Sequence, residues 1–114
     1  MRVILAIDQG TTGTTVAVMN TRGALLGSVN HEFPQIFPKP GWVEHEPEAI
    51  WNSVLRGIRA VFRKGLCKPA DLVCIGITNQ RETTTLWKRS DGSPCGPALV
   101  WQDGRTADLC EQWK

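Results

Sequence analysis

The residues best placed to do chemistry begin at Asp8-Gln9-Gly10-Thr11-Thr12-Gly13-Thr14-Thr15. Two glycines, four threonines and one carboxylate lie between two apolar runs, residues 3–7 and 16–19. This is the make-up of a tight strand-to-strand turn whose backbone N–H groups and hydroxyls face outward. Such a concavity suits an oxyanion, most simply a phosphate, with Gly10, Thr11, Thr12 and Thr14 as the phosphate-facing residues. Asp8 cannot contact phosphate directly, because like charges repel. It needs a cation such as Mg²⁺ between them, or it orients water. The pattern is neither a Walker A loop nor G-x-G-x-x-G. The plain alternative is a polar hairpin in which Asp8 caps its own turn.

A second group is Arg81-Glu82, with Trp101 as a third element. A polyol hydroxyl both donates and accepts. Arg81 supplies fixed donors and Glu82 supplies acceptors, so the pair can bind neighbouring hydroxyls of one small substrate while Trp101 packs on its carbon skeleton. The competing readings are an exposed charge pair for Arg81-Glu82 and core filling for Trp101. His31 and His45 are isolated and receive no role.

The elements that must position these residues follow from periodicity and turn chemistry. Residues 3–8 and 14–20 form a hairpin, and Thr21-Arg22-Gly23 turns into a third strand over 24–33. Pro34, Pro38, Pro40 and Gly41 forbid a helix over the loop 34–46. Pro47 opens a helix that Gly65 stops. Its stripe of Ile50, Trp51, Val54, Leu55, Ile58, Val61 and Phe62 is expected in the core, with Arg56, Arg59, Arg63 and Lys64 solvated. The apolar run 72–77 predicts a central strand, parallel to the first because a helix crosses over to it. Two short strands, 83–87 and 98–101, are joined through the turn Asp91-Gly92-Ser93-Pro94, and a helix starts over 105–113. Ligands in open α/β sheets bind beyond the carboxyl ends of strands. Residues 8–12, 79–82 and 101–103 all lie at such ends.

Bulk properties exclude several classes. The 114 residues make at most one domain. A formal charge of +2 is too small to argue for nucleic acid or a membrane surface. No apolar run is long enough to span a bilayer, and Asp8 comes too early for a secretory leader. Cys67, Cys74, Cys95 and Cys110 show no CxxC and no zinc spacing, so reduced thiols in a cytoplasmic protein are expected.

Three meandering strands followed by a crossover helix and a parallel strand open an α/β, ribonuclease-H-like mixed sheet with flanking helices, the fold of actin and the sugar-kinase ATPases. The motifs Ala6-Ile7-Asp8-Gln9-Gly10-Thr11-Thr12, Phe37-Pro38-Lys39-Pro40-Gly41-Trp42-Val43-Glu44-His45, Gly76-Ile77-Thr78-Asn79-Gln80-Arg81-Glu82-Thr83-Thr84 and Val100-Trp101-Gln102-Asp103 closely resemble the FGGY carbohydrate kinase family, and within it the members acting on glycerol. The resemblance runs in order along essentially the whole chain. It implies ATP- and Mg²⁺-dependent transfer of the γ-phosphoryl group to a terminal hydroxyl of glycerol or a similar small polyol. By position, Asp8 would serve metal and phosphates, Gly10, Thr11 and Thr12 the phosphate loop, and Arg81, Glu82 and Trp101 the glycerol.

Two positions depart from the family pattern. Thr15 stands where an arginine beside the phosphates is common, and Gly104 replaces a usual arginine. Family members are several times longer. The catalytic base, the adenine pocket and a second domain are therefore expected beyond Lys114, this segment is expected to be an incomplete first domain, and alone it is expected to be inactive. A kinase for another polyol or ketose and a non-catalytic ligand-binding product are the alternatives, and a homo-oligomer of the intact protein is left open.

Overall fold

A computed structural model of the protein describes residues 1–114. The chain resolves into two compact units, residues 1–33 with 50–80, and residues 34–49 with 81–114.

In the first unit, strand β1 (Val3–Gln9) alternates strictly, with Val3, Leu5 and Ile7 buried and Asp8 exposed. It pairs antiparallel with β2 (Gly13–Asn20), from Val3↔Asn20 to Gln9↔Thr14, and β2 pairs antiparallel with β3 (Leu25–Glu32). The chain later crosses over through helix α1 (Pro47–Arg63) and returns as β5 (Leu72–Asn79), parallel to β1. The sheet order is β3-β2-β1-β5, the mixed sheet expected. Val16, Val18, Val29, Ala60, Val61 and Cys67 complete the core around β1.

Helix α1 lies on this core by a line of small residues. Its buried positions are Ser53, Gly57, Ala60 and Val61, while Val54, Ile58 and Phe62 flank them half-buried. The expected apolar stripe is thus only partly right, and Trp51 is exposed. Small residues allow the closer approach: a Cβ on Gly57 would sit 2.5 Å from Cγ2 of Val16.

β5 is parallel to β1 as expected and is the last strand of the sheet within these 114 residues, with Val73, Ile75 and Ile77 exposed there. Ile75 and Ile77 register with Leu5 and Ile7, so the apolar face of the sheet extends past the strands that α1 covers.

The second unit is built on a two-residue ladder, β4 (Glu44–His45) against β6 (Ala98–Leu99). Val43, Ala98 and Val100 are buried around it. The expected strand 83–87 is reduced to two isolated bridges, Thr84↔Leu99 and Trp87↔Pro94, and Leu86 and Trp87 are exposed. β4 sits inside the proline-rich loop, where two residues give no periodicity to read. His45 is fully buried with Nε2 2.7 Å from Oε1 of Gln35. Because that oxygen only accepts, Nε2 carries the proton, and burial lowers the imidazole pKa toward the neutral form. A short helix α2 (Ala107–Gln112) follows. All four cysteines are free thiols, and no helix is long and apolar enough to cross a membrane.

Gly13 sits where β3 approaches most closely. A Cβ there would lie 2.8 Å from the carbonyl oxygen of His31 and 3.0 Å from Cα of Glu32. Both are backbone atoms and cannot rotate away. Gly13→Ala is expected to destabilise the fold by about 1–3 kcal/mol, as overpacking does, measured by chemical denaturation. An unchanged midpoint would mean that β2 and β3 are spaced more loosely.

Candidate functional site

The turn between β1 and β2 is held from within. The Gly10 N–H donates to the carbonyl of Gly13 at 2.8 Å, and the buried Gln9 donates through Nε2 to the carbonyl of Gly10 at 2.8 Å. The Phe33 N–H donates to the carbonyl of Thr12 at 3.3 Å, tying the turn to the end of β3. Thr11 and Thr12 remain at the surface side of this turn, half-buried and exposed respectively. Asp8 is exposed beside it, as the alternation of β1 dictates. The parallel register places Thr78 opposite Asp8 and Asn79 opposite Gln9, and Nε2 of Gln80 lies 3.4 Å from Oε1 of Gln9. The carboxyl ends of β1 and β5 are therefore neighbours.

Thr14 corrects the expectation that every threonine hydroxyl of the turn faces outward. It is fully buried, and its Oγ1 lies 2.6 Å from Oγ of Ser53. The Ser53 hydroxyl donates to the carbonyl of Ile50 at 2.7 Å, so its one proton is used and Thr14 is the donor in the pair. Thr14 joins the helix to the sheet and does not face a ligand. Thr15, next along, accepts from Nδ2 of Asn30 at 2.8 Å.

The sheet-end turn offers Mg²⁺ a single carboxylate. No three His, Cys, Asp or Glu side chains are close enough to hold a metal by themselves. Asp8 alone nevertheless fits Mg²⁺, which retains several waters and takes one or two carboxylates together with substrate phosphates.

In the second unit, Glu82 and Trp101 line one cavity of about 300 Å³ together with Thr84, Leu99, Val100, Asp103 and Thr106. Trp101 is 51% exposed, so the residues of its own unit do not bury it. Glu82 is the one non-glycine residue with positive φ, at 64°. That left-handed conformation costs an ordinary side chain about 1–2 kcal/mol, and such strain gathers at binding sites. Arg81 is exposed and does not line this cavity, and no ion pair joins it to Glu82.

Asp103 belongs to the strand-end cluster 101–103 expected from the sequence, whereas Arg105 and Glu44 behind Trp101 had no expected role. The Asp103 N–H donates to the carbonyl of Val100 at 2.8 Å, closing a turn with Trp101 and Gln102 at its centre. One carboxylate oxygen of Asp103 accepts from the Val43 N–H at 2.7 Å, and the other accepts from the Arg105 N–H at 2.9 Å. The guanidinium of Arg105 reaches Asp103 through Nε and Nη2, at 2.8 to 3.0 Å. Nη2 also donates to Oε1 of Glu44 at 2.9 Å, and the guanidinium stacks 3.8 Å from the centre of the Trp42 ring. Hydrogen bonds from Arg105, then those from the backbone, hold the Asp103 carboxyl well below the usual carboxylate range, and the same pairing raises Arg105. The readable signal was Asp-x-Arg, in which an aspartate accepts from the N–H two residues on.

Comparison with known proteins follows the same lines. Residues 3–114 match the model of the FGGY family of carbohydrate kinases, N-terminal domain. The chain is 52% identical over 109 residues to a glycerol kinase of Janthinobacterium sp. (strain Marseille), and 52% identical over 111 residues to that of Herminiimonas arsenicoxydans. These alignments cover 96% and 97% of the chain but only 22% of each relative. Among solved structures, Plasmodium falciparum glycerol kinase with ADP superposes with a TM-score of 0.90 at 34% identity, over all of this chain and 23% of that one. A xylulose kinase from Brucella ovis superposes at 0.89 with 22% identity, over 98% and 23%, a likeness of fold. The ribonuclease-H-like fold read from the element order is thus the fold observed.

Asp103 makes stability depend on acid in a defined direction. A carboxyl with a depressed folded-state pKa contributes stability above its unfolded value of about 3.9, and loses it as pH falls through that value toward the folded one. The parent chain is expected to lose stability between about pH 5 and pH 2.5 more steeply than Asp103→Asn, compared by urea denaturation across that range. Equal slopes would show that the carboxylate is not held as the geometry indicates.

Proposed function

The chain belongs to the FGGY family of carbohydrate kinases, and from that premise we propose that it is the N-terminal part of the first domain of a glycerol kinase. The reaction would move the γ-phosphoryl group of ATP to a terminal hydroxyl of glycerol, giving glycerol 3-phosphate. The observation that carries the substrate side is the cavity shared by a strained Glu82 and a half-exposed Trp101. Its chemistry is an acceptor beside an aromatic face, which suits hydroxyls on a short carbon skeleton.

In this reading Glu82 accepts from substrate hydroxyls and fixes where their protons point. Arg81 supplies the complementary donors, and Trp101 covers the carbons. At the other cluster, the turn would receive phosphate oxygens at Thr11 and Thr12, the Gly10 N–H being taken by the Gly13 carbonyl, and Asp8 would hold Mg²⁺. When bound, that ion neutralises charge on the phosphate oxygens during transfer. Positioning and charge neutralisation do most of the work in phosphoryl transfer. The chain covers only 22% of its glycerol kinase relatives, and in this reading the base that takes the hydroxyl proton and the adenine site are not among these 114 residues, so the segment alone would turn over no ATP. A substrate panel with the intact protein separates glycerol from other polyols and ketoses.

Two mutational outcomes follow. In the intact protein, Asp8→Asn is expected to lower kcat far more than it raises the KM for glycerol, because Asp8 acts on the transferring group and not on the polyol. Near-native turnover at saturating Mg²⁺ would reduce Asp8 to a turn cap. Glu82→Gln and Arg81→Ala are each expected to raise the glycerol KM about ten- to a hundredfold, the worth of a charge-assisted hydrogen bond of about 1.5–3 kcal/mol. The KM for ATP should change much less. Steady-state kinetics with the two substrates varied separately tests this, and an unchanged glycerol KM in both variants would remove the pair from the site.

A further inference from the structure

The turn that carries Trp101 is fastened on three sides. Its start is fixed by the Val100 N–H donating to the carbonyl of Val43 at 3.0 Å, and its centre by the Trp101 N–H donating to Oγ1 of Thr83 at 3.2 Å. Its end is fixed by Asp103 and by the Gly104 N–H, which donates to the carbonyl of Gly41 at 2.7 Å. Every one of these anchors except Thr83 lies on the segment 41–44 or is charged. Asp103 accepts from Val43, and Arg105 joins Asp103 to Glu44 while stacking on Trp42. The side chains of Asp103, Glu44 and Arg105 are 6%, 13% and 18% exposed, so the ion pairs are largely shielded from water.

We infer that Asp103 and Arg105 are positioning residues for the polyol subsite, acting through Trp101. Their charge clamp fixes the turn of residues 100–103 so that the indole stays against the cavity that Glu82 lines. The inference rests on the reading of that cavity as the polyol subsite. Three physical points support it. The Asp103 carboxylate accepts from a guanidinium fork and two backbone N–H groups, which leaves it little rotational freedom. Trp101 is half exposed, so packing within its own unit does not hold it. A misplacement of about 1 Å at a substrate-positioning group costs up to about a hundredfold.

The test uses the intact protein, with glycerol and ATP as the varied substrates. Asp103→Asn is expected to raise the glycerol KM about tenfold, and Arg105→Lys by less, because an ammonium loses the fork but keeps the positive charge. The kcat and the KM for ATP should stay within about twofold. Asp71→Asn, which removes a carboxylate that accepts from the Lys68 N–H at 2.8 Å and is remote in sequence from this turn, should lower thermal stability without moving the glycerol KM. The decisive readout is coupling. In a Trp101→Ala background, Asp103→Asn should add less than about twofold to the glycerol KM, because its effect is already lost. Full additivity with Trp101→Ala would overturn the inference. If Glu82→Gln raises the glycerol KM but neither clamp variant does, the clamp is structural only and the subsite stands. If Glu82→Gln leaves the KM unchanged, the subsite reading fails and the positioning role fails with it. Should Asp103→Asn not fold, Arg105→Lys carries the same comparison.

Discussion

The first unit depends on β1 being hydrogen-bonded along both edges. Its antiparallel partner β2 follows after a three-residue turn, whereas its parallel partner β5 can be reached only through a crossover, which α1 supplies. With both edges used, the alternation of β1 leaves no choice of face. Val3, Leu5 and Ile7 go into the core and Asp8 to solvent. A slip of one residue would bury the carboxylate and expose three large apolar side chains. The exposed position of Asp8 at the carboxyl end of β1 is thus a consequence of sheet register.

The second unit is held differently. Its ladder is two residues long, and its apolar core is small. Order in the turn 100–103 comes from charge-assisted bonds among Asp103, Arg105 and Glu44, with Trp42 stacked on the guanidinium. Arg105 is the shared partner, so its removal leaves two carboxylates uncompensated, whereas either carboxylate can be lost with the other still paired. Anchoring by charge suits a turn presenting a half-exposed tryptophan, where apolar packing cannot give a fixed geometry.

Much of this was legible in the chain. The hairpin, the Pro47 start of the helix and the parallel return strand each have a local signal: alternation, a proline at the first helical position, and an apolar run after a 3.6-residue period. What escaped lies in long-range packing. The helix buries Ser53 and Gly57 because they permit close approach, which hydrophobic periodicity cannot report. Thr14 looks like its neighbours in sequence, but strand alternation turns its hydroxyl inward to Ser53. At the site, Glu82 and Trp101 were readable by chemistry and both line the cavity. Arg105 and Glu44 were not, because 61 residues separate the two atoms that meet.

The proposed function requires the cavity lined by Glu82 and Trp101 to receive a polyol while Asp8 and the turn after it serve the phosphates. The most direct measurement is a crystal structure of the intact protein with glycerol, Mg²⁺ and a non-hydrolysable ATP analogue. Glycerol hydroxyls are expected within hydrogen-bond distance of Glu82 and Arg81, carbons against the Trp101 indole, and Asp8 at the metal or one of its waters. Glycerol bound elsewhere, with Glu82 and Trp101 in solvent, would contradict it.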